Sequence, residues 1–380
     1  MIQYYMNSII SHRSRKQKEK QKIIIVGNGW GSRGFLSKIN RNKFDVSIVS
    51  NNQTFSYTPL LAQSINLNKN LPDTNLSIYQ QFKNNLIYGE VIDFDNTDNT
   101  IKVIINNKTS NMKFDHLILS HGSDINTFNI DGFDNNKIYF LKSHQDMIKI
   151  RNNILNLPAN SNIAIMGCGP TGIEIISSLI DLKLNKKHNI FAIDGMDRPV
   201  SYFNKELSNM ITRLWKENNV HILMSNFVRK ISNEEIICSK NSMNYDMGIW
   251  CGGIKNNILT NNILKKYNFE IKNLGIPVNN YLQVSYNNKI FNNIYAIGDC
   301  NSTNYPKTAQ VAFQQGQYLA NRFNSNNKIN EPFEFKNFGQ FCYIGNNKSI
   351  YSSPFYNGGG YVINLINNIV QIYNYYKTKF

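Results

Sequence analysis

Twice in its first 180 residues this chain drives a short β-branched run into a glycine-rich turn and out into a helical pattern. The first copy is Lys22–Leu36, KIIIVGNGWGSRGFL, and the second is Asn162–Ile176, NIAIMGCGPTGIEII. Uninterrupted apolar runs such as Ile23–Val26 belong to strands covered on both faces. Glycine at the first turn position lets the chain double back. Glycine at the second lets backbone N–H groups close on a pyrophosphate, whose charge then sits at the positive end of the helix. Gly167, Gly169 and Gly172 complete the G-x-G-x-x-G spacing; in the first copy Gly27 and Gly29 are present but the last position is Ser32. The pair predicts an α/β chain with two Rossmann-like dinucleotide-binding units on parallel sheets.

The strands that follow the two turns end differently. Asp45–Ser50 ends in a serine, whereas Asn189–Asp194 ends in a carboxylate 22 residues beyond Gly172. An acid at that offset hydrogen-bonds the adenosine ribose and repels a 2′-phosphate, so the second unit is expected to take NADH in preference to NADPH. The first unit must contact its ribose in another way. Leu86–Asn106 alternates as a hairpin or meander around Asn96–Asn99. Glu235–Asp246 reads as a strand pair, and Phe114–Gly122 and Tyr245–Gly253 as buried strands running into glycine. Asn293–Cys300 does the same and adds Gly298–Asp299, followed by a loop and a helix to about Phe323. A carboxylate and a helix N-terminus are thereby aimed at one ligand.

Phe333–Ile350 reads as two strands and Gly358–Gly360 as a hinge. From Tyr361 an amphipathic helix follows, with Asn364, Asn367, Gln371 and Asn374 recurring every three or four residues. Its wide apolar face suits a membrane surface, the protein's own core or a second copy of the chain.

At 380 residues the chain is too long for one ordinary core, and 41% hydrophobic with 17% charged residues excludes wholesale disorder. The net charge of +16 is concentrated only at the start, where six Arg and Lys stand against Glu19 in the first 22 residues. That basic tail, 1–21, is compatible with a transit peptide or with a disordered segment. The remaining charge is dispersed and forms no nucleic-acid motif. Five cysteines at scattered spacings, with no C-x-x-C, argue against a disulfide scaffold and a zinc site. No metal site is expected. No apolar run reaches 18 residues, so nothing is expected to span a bilayer.

In order along the chain, VGNGWGS with SYTPLL, FDHLILSHG, MGCGPTGIE, YAIGDC, PKTAQVAFQQG and FGQFCYIG resemble the single-subunit, non-proton-pumping (type II) NADH:quinone oxidoreductases. The likeness is nearest to mitochondrial-type members and covers about residues 22–350. It implies nested domains, with an NADH-binding domain (152–279) inserted into an FAD-binding domain (22–151 and 280–330) and a C-terminal region (331–380) beyond. It implies FAD contacts at Gly27, Gly29, Asp299 and the backbone around Ala309 and Gln310. NADH contacts fall on Gly167, Gly169, Gly172, Glu174 and Asp194. Trp30, Gly31, Ser50, Gly122, Gly253 and Gly298 complete the cofactor-binding set. Gln310 and Gln314 match positions lining a quinone pocket, and Glu174 is expected to position the nicotinamide and influence proton uptake.

The activity implied is hydride transfer from NADH to FAD and two-electron transfer to a quinone, without proton pumping and without a catalytic nucleophile. The resemblance implies the surface of the mitochondrial inner membrane, with a cytoplasmic site as the alternative, and is compatible with a homodimer. Three features depart from the family: His121 before Gly122, Phe313 beside the glutamines, and a shorter C-terminal region. Two other readings stay open. One is a related FAD/NAD(P)H reductase acting on sulfide or a soluble acceptor; the other is a non-catalytic flavin- or NADH-binding protein.

Overall fold

The first apolar run forms strand β1 (Gln21–Val26), in which Ile23, Ile24 and Ile25 are fully buried. It enters helix α1 (Trp30–Leu36) through the glycine turn, and β2 (Phe44–Ser50) returns parallel to it. β3 (Leu86–Tyr88) pairs with β2, and β4 (His116–Leu119) pairs with β1 on its other side. Between β3 and β4 the chain makes a three-stranded antiparallel meander, Glu90–Asp95, Thr100–Ile105 and Lys108–Lys113. The computed structural model describes residues 19–77, 82, 85–269, 274–287, 289–326 and 330–378. Nearly all of the basic tail, 1–18, lies outside the described residues.

The chain then leaves to build a second sheet. Its elements are β5 (Ile138–Phe140), α2 (His144–Asn156), β6 (Asn162–Met166), α3 (Pro170–Asp181), β7 (Asn189–Ile193), α4 (Lys205–Glu217), β8 (His221–Leu223) and β9 (Met247–Trp250). The five strands are all parallel, in the order β5-β9-β6-β7-β8. Helix α2 starts at a capping box, Ser143 accepting from the Asp146 N–H while Asp146 accepts from the Ser143 N–H. Helix α4 buries Leu207, Ile211, Leu214 and Trp215 along one face.

After α5 (Ile258–Lys266), strands β10 (Gln283–Tyr286) and β11 (Lys289–Ala296) rejoin the first sheet, and α6 (Ala309–Asn324) closes it. The completed order is β10-β11-β4-β1-β2-β3, parallel except for β10. Helices α1 and α6 cross backbone to backbone: a Cβ on Gly34 would lie 2.0 Å from the Phe313 carbonyl oxygen, and one on Gly316 2.1 Å from that of Gly31.

Core membership moves the expected boundaries. Met147, Ile150 and Ile154 of α2 pack with the second sheet, while Leu259, Ile263 and Leu264 of α5, with Ile276, pack with the first. By packing, the excursion therefore runs from about Ile138 to Cys251, earlier at both ends than 152–279. The reason is burial: the apolar side of α5, with Phe269 and Phe291, covers the meander.

The C-terminal region departs further from expectation. β12 (Gln340–Gly345), β13 (Lys348–Ser352) and β14 (Asn357–Gly360) form an antiparallel sheet, followed by α7 (Tyr361–Lys377). The three glycines expected to hinge instead pair as a strand with Ser349–Tyr351. Lack of side chains is what fits them there, since a Cβ on Gly359 would meet Met210 Cε at 2.6 Å.

Helix α7 lies with its polar stripe inward. Asn364 accepts from the Ser349 hydroxyl (2.9 Å), Asn367 donates to the same hydroxyl (3.2 Å), and Tyr57 donates to the Gln371 carbonyl (3.2 Å). Leu365 and Ile369, in contrast, are 61% and 60% exposed. The apolar face is thus not spent on the protein's own core. Among the described residues, no helix is long and apolar enough to cross a membrane.

Candidate active site

A cavity of about 1000 Å³ opens at the carboxyl ends of β1, β2, β3, β4 and β11. This is where parallel α/β sheets bind ligands, because turns there bring backbone N–H groups together at a helix start. The first glycine loop forms part of its wall. Gly27 has φ +96°, and a Cβ there would sit 2.5 Å from the Ser120 carbonyl oxygen, so the turn itself requires glycine. Gly29 differs. Its φ of −72° and ψ of −163° suit any residue, and nothing lies within 4 Å of where its Cβ would be. The protein does not need glycine at 29; a ligand drawn close to the backbone does. That open cradle fits a dinucleotide pyrophosphate.

Across the cavity, Asp299 accepts from the Ser123 hydroxyl at 3.2 Å. Burial raises its carboxyl above the usual range, with Lys307 and Lys142 drawing it back down. The turn before it is held by Gln315, which is fully buried and accepts from the Gly298 N–H at 2.7 Å. Such a carboxylate, at the foot of a cradle with two flanking cations, suits the hydroxyls of an FAD polyol. Trp30, whose indole donates to Thr58 (2.9 Å), and Gly31, Ser50, Gly122, Gly298 and Ala309 also line this cavity. The Ser50 hydroxyl accepts from the Asn52 N–H (3.0 Å), capping the turn after β2.

The second unit reaches the same cavity by its edge. Thr171 and Glu174 of α3, with Cys251, Gly252 and Gly253 after β9, contribute to the wall. Gly167 (φ +105°) is pressed against the Cys251 backbone, whereas Gly169, like Gly29, faces open space. Gly167, Gly169, Gly172 and Asp194 lie off that wall. Both Asp194 carboxylate oxygens are engaged: one accepts from the Cys168 N–H (2.5 Å), the other from the Met196 N–H (2.8 Å). The acid therefore braces the glycine loop from below.

Glu174 stands where the units meet. Burial pushes its carboxyl up to about 7, while the Tyr343 N–H (3.2 Å), Lys69 and the Gln63 side chain pull the other way. His121 is also in the wall. Burial takes its imidazole down to about 4, so it is neutral, and Nε2 pairs with the Thr260 hydroxyl at 2.9 Å.

Gln310 and Gln314, matched by resemblance to a quinone pocket, lie on α6 beside the segment 336–339. Neither lines the cavity. Gln310 accepts from the Phe338 N–H and donates to the Gly339 carbonyl, and Gln314 accepts from the Lys336 N–H and donates to the Lys336 carbonyl. Both amides are used as peptide mimics that clasp the segment 336–339 leading into the C-terminal sheet. Phe313 lies between Trp30 (ring centroids 6.3 Å) and the Lys377 ammonium (5.7 Å). It joins the cavity wall to α7. All five cysteines are free, and burial raises Cys251, the one on the wall, to about 12. Among the described residues no cluster could hold a metal ion.

Sequence patterns did not single out Lys69, Gln63, Lys142 or Gln315. Lys69 and Gln63 sit in an unpatterned polar stretch, and Gln315 is one residue from a glutamine that was chosen. Helical phase was the missed signal for Gln315, because it shares the buried face with Val311 and Leu319.

The model of the pyridine nucleotide-disulphide oxidoreductase family matches residues 21–316. A probable NADH dehydrogenase of Dictyostelium discoideum is 28% identical over 94% of this chain and 86% of its own length. The external NADH-ubiquinone oxidoreductase 2, mitochondrial, of Saccharomyces cerevisiae is 26% identical over 80% of this chain, which spans 62% of that relative. Among solved structures, NDH2 from Plasmodium falciparum in complex with NADH superposes with a TM-score of 0.86 at 25% identity, covering 95% of this chain and 96% of that one.

Proposed function

The chain belongs to the pyridine nucleotide-disulphide oxidoreductase family, and on that premise we propose that it is an FAD-dependent, non-pumping NADH:quinone oxidoreductase. One observation carries the reading: a single cavity is lined both by the first glycine loop and, from the second sheet's unit, by Thr171 and Glu174 of the helix that follows the second loop. A ligand held by the first loop lies along the carboxyl ends of the first sheet. A ligand held by the second enters past Thr171 and Glu174. Their reactive ends then meet.

In this reading the Gly27–Gly31 loop, Ser123 and Asp299 hold FAD, and Gly167, Gly169, Gly172 and Asp194 hold NADH. When bound, FAD supplies the hydride acceptor and passes the electron pair on to quinone. The protein orients and shields. Trp30 and His121 close the apolar sides of the cavity, Glu174 faces the nicotinamide end, and Asp299 anchors the cofactor against thermal drift. Overall, NADH, one solvent proton and quinone give NAD⁺ and quinol. The similarity to a probable NADH dehydrogenase and to an external NADH-ubiquinone oxidoreductase supports the reading. A sulfide reductase would need a nucleophilic thiolate at the flavin, and the wall's Cys251 is held protonated instead.

The quinone side is assigned to the exposed apolar face of α7, with Lys348 and Lys377 at its flanks. That face suits the surface of an anionic bilayer. The mitochondrial relatives favour the inner mitochondrial membrane. A second copy of the chain is the other occupant of this face.

The test is optical. Purified protein should show flavin absorption that one equivalent of NADH bleaches anaerobically and a soluble ubiquinone analogue restores. Bleaching without restoration would contradict a quinone acceptor. For docking, Leu365→Glu with Ile369→Glu should abolish flotation with cardiolipin-containing vesicles and spare NADH-driven bleaching.

A further inference from the structure

Glu174 and Asp181 lie seven residues apart on α3. Two turns of helix put them on one face, about 10 Å apart. They open in opposite directions. Glu174 is on the wall of the large cavity, whereas Asp181 lines an outer cavity of about 440 Å³ together with Asn66, Lys69 and Asn346.

Lys69 stands between the two carboxylates. Its ammonium is 3.2 Å from Asp181 Oδ2, lies over the Tyr343 ring and is within Coulombic reach of Glu174. Strand β12 braces the set. The Tyr343 hydroxyl donates to Asp181 (2.6 Å), the Asn346 N–H, just past its end, also donates to Asp181 (2.8 Å), and the Tyr343 N–H donates to Glu174 (3.2 Å). The same strand places the Cys342 thiol beside Glu174, and Tyr202 faces Cys342 from the segment before α4; burial keeps both protonated. Gln63, which bonds Glu174, comes from the segment that carries Lys69.

We propose that Lys69 is a positioning residue that links Glu174 to the outer cavity, so that Glu174 recovers its proton from solvent on the side away from the substrates. The inference rests on the quinone reading, in which each turnover takes up one solvent proton. Glu174 releases a proton into the large cavity, the nearby Lys69 ammonium stabilises the resulting carboxylate by its charge, and a solvent proton that enters from the outer cavity restores the acid. Nothing else is consumed. Burial raises Glu174 to about 7, with Lys69 pulling the other way, so the acid can lose and regain its proton near neutral pH.

The experiment uses flavin-loaded wild type, Lys69→Met and Lys69→Arg, each with and without Glu174→Gln. Thermal stability from pH 4 to 9 reads the Glu174 midpoint as the difference within each pair. Kinetics read the ratio of quinone reduction, which takes up protons, to ferricyanide reduction, which does not. In Lys69→Met the midpoint should rise by about one unit or more, and the quinone-to-ferricyanide ratio at pH 8 should fall about tenfold. Lys69→Arg, which keeps the positive charge that acts on Glu174, should stay near wild type in both. Asp181→Asn, which leaves Lys69 in place, is the second variant and should lower the same ratio if Lys69→Met cannot hold flavin. An unmoved midpoint or an unmoved ratio in Lys69→Met overturns the proposal. Wild-type protein that reduces ferricyanide but no quinone overturns the earlier reading instead, and the midpoint then decides this one.

Discussion

The two glycine loops carry the same residues at their first two glycine positions, yet they close by different means. In the second loop the helix sits directly on the turn: a Cβ at Gly172 would be 1.9 Å from the Gly167 carbonyl oxygen. In the first loop that place is held by Ser32, whose hydroxyl donates to the equivalent Gly27 carbonyl at 2.7 Å. One loop closes by contact and the other by a hydrogen bond. The supporting elements differ accordingly. Helix α3 runs twelve residues and lies between its own sheet and strand β12, whereas α1 runs only seven and is held by the crossing α6. The acid after the second loop caps its own turn at Met196 and also bonds the loop's Cys168 N–H, while Ser50 caps its own turn alone. Similar motifs therefore make unlike demands on side chains.

The sharpest way to break this comparison is Gly172→Ser. If contact closes the second loop, the new side chain collides with backbone, costs about 3 kcal/mol or more, lowers Tm by roughly 5–10 °C and abolishes NADH-driven bleaching. Wild-type stability in that variant would mean that the two loops are interchangeable. Next in size is Asp194→Ala. Removing the acceptor of the loop's Cys168 N–H and of the Met196 N–H should raise KM for NADH by about tenfold to a hundredfold and lower the preference over NADPH; steady-state kinetics with both nucleotides check this. Equal losses for both would detach Asp194 from selectivity.

Glu174→Gln tests the meeting point of the units through pH. The native carboxyl titrates near 7, against 4.5 as its ordinary value. Below 4.5 it is neutral folded or unfolded; between 4.5 and 7 the unfolded chain gives up a proton that the native state keeps, so stability falls as pH rises through that window. The variant should lack this fall, so the Tm difference between the two proteins grows from pH 4.5 to 7 and then levels. A pH-independent difference would return Glu174 to ordinary exposure. The smallest effect belongs to Ser32→Gly, which loses one hydrogen bond and adds backbone freedom to α1, together about 1–2 kcal/mol. Chemical denaturation with flavin bound measures it.

Much of this architecture was legible in sequence because buried parallel strands and glycine turns leave local signatures. β1, β6, β7 and β11 read directly from runs such as Ile23–Val26 and Ile163–Met166. What was not legible depended on partners distant in sequence. Gly358–Gly360 became a strand because Ser349–Tyr351 supplies a neighbour. Gln310 and Gln314 were drawn to the 336–339 backbone, a contact that no local pattern announces. The α7 periodicity was legible, but not which stripe faces inward; Ser349 and Tyr57 decide that by offering hydrogen bonds to its amides. Lys69 left no trace in sequence, since its role exists only where Asp181, Tyr343 and Glu174 converge.

The central claim is the division of labour between the loops: the first takes the flavin and the second takes NADH. Gly29→Val tests it most directly, because the added side chain meets no protein atom within 4 Å at its Cβ and fills only the cradle. Flavin content by absorbance and NADH affinity by calorimetry are measured on the same folded sample. The account predicts protein that has lost its flavin and still binds NADH. Protein that keeps its flavin and loses NADH would contradict it.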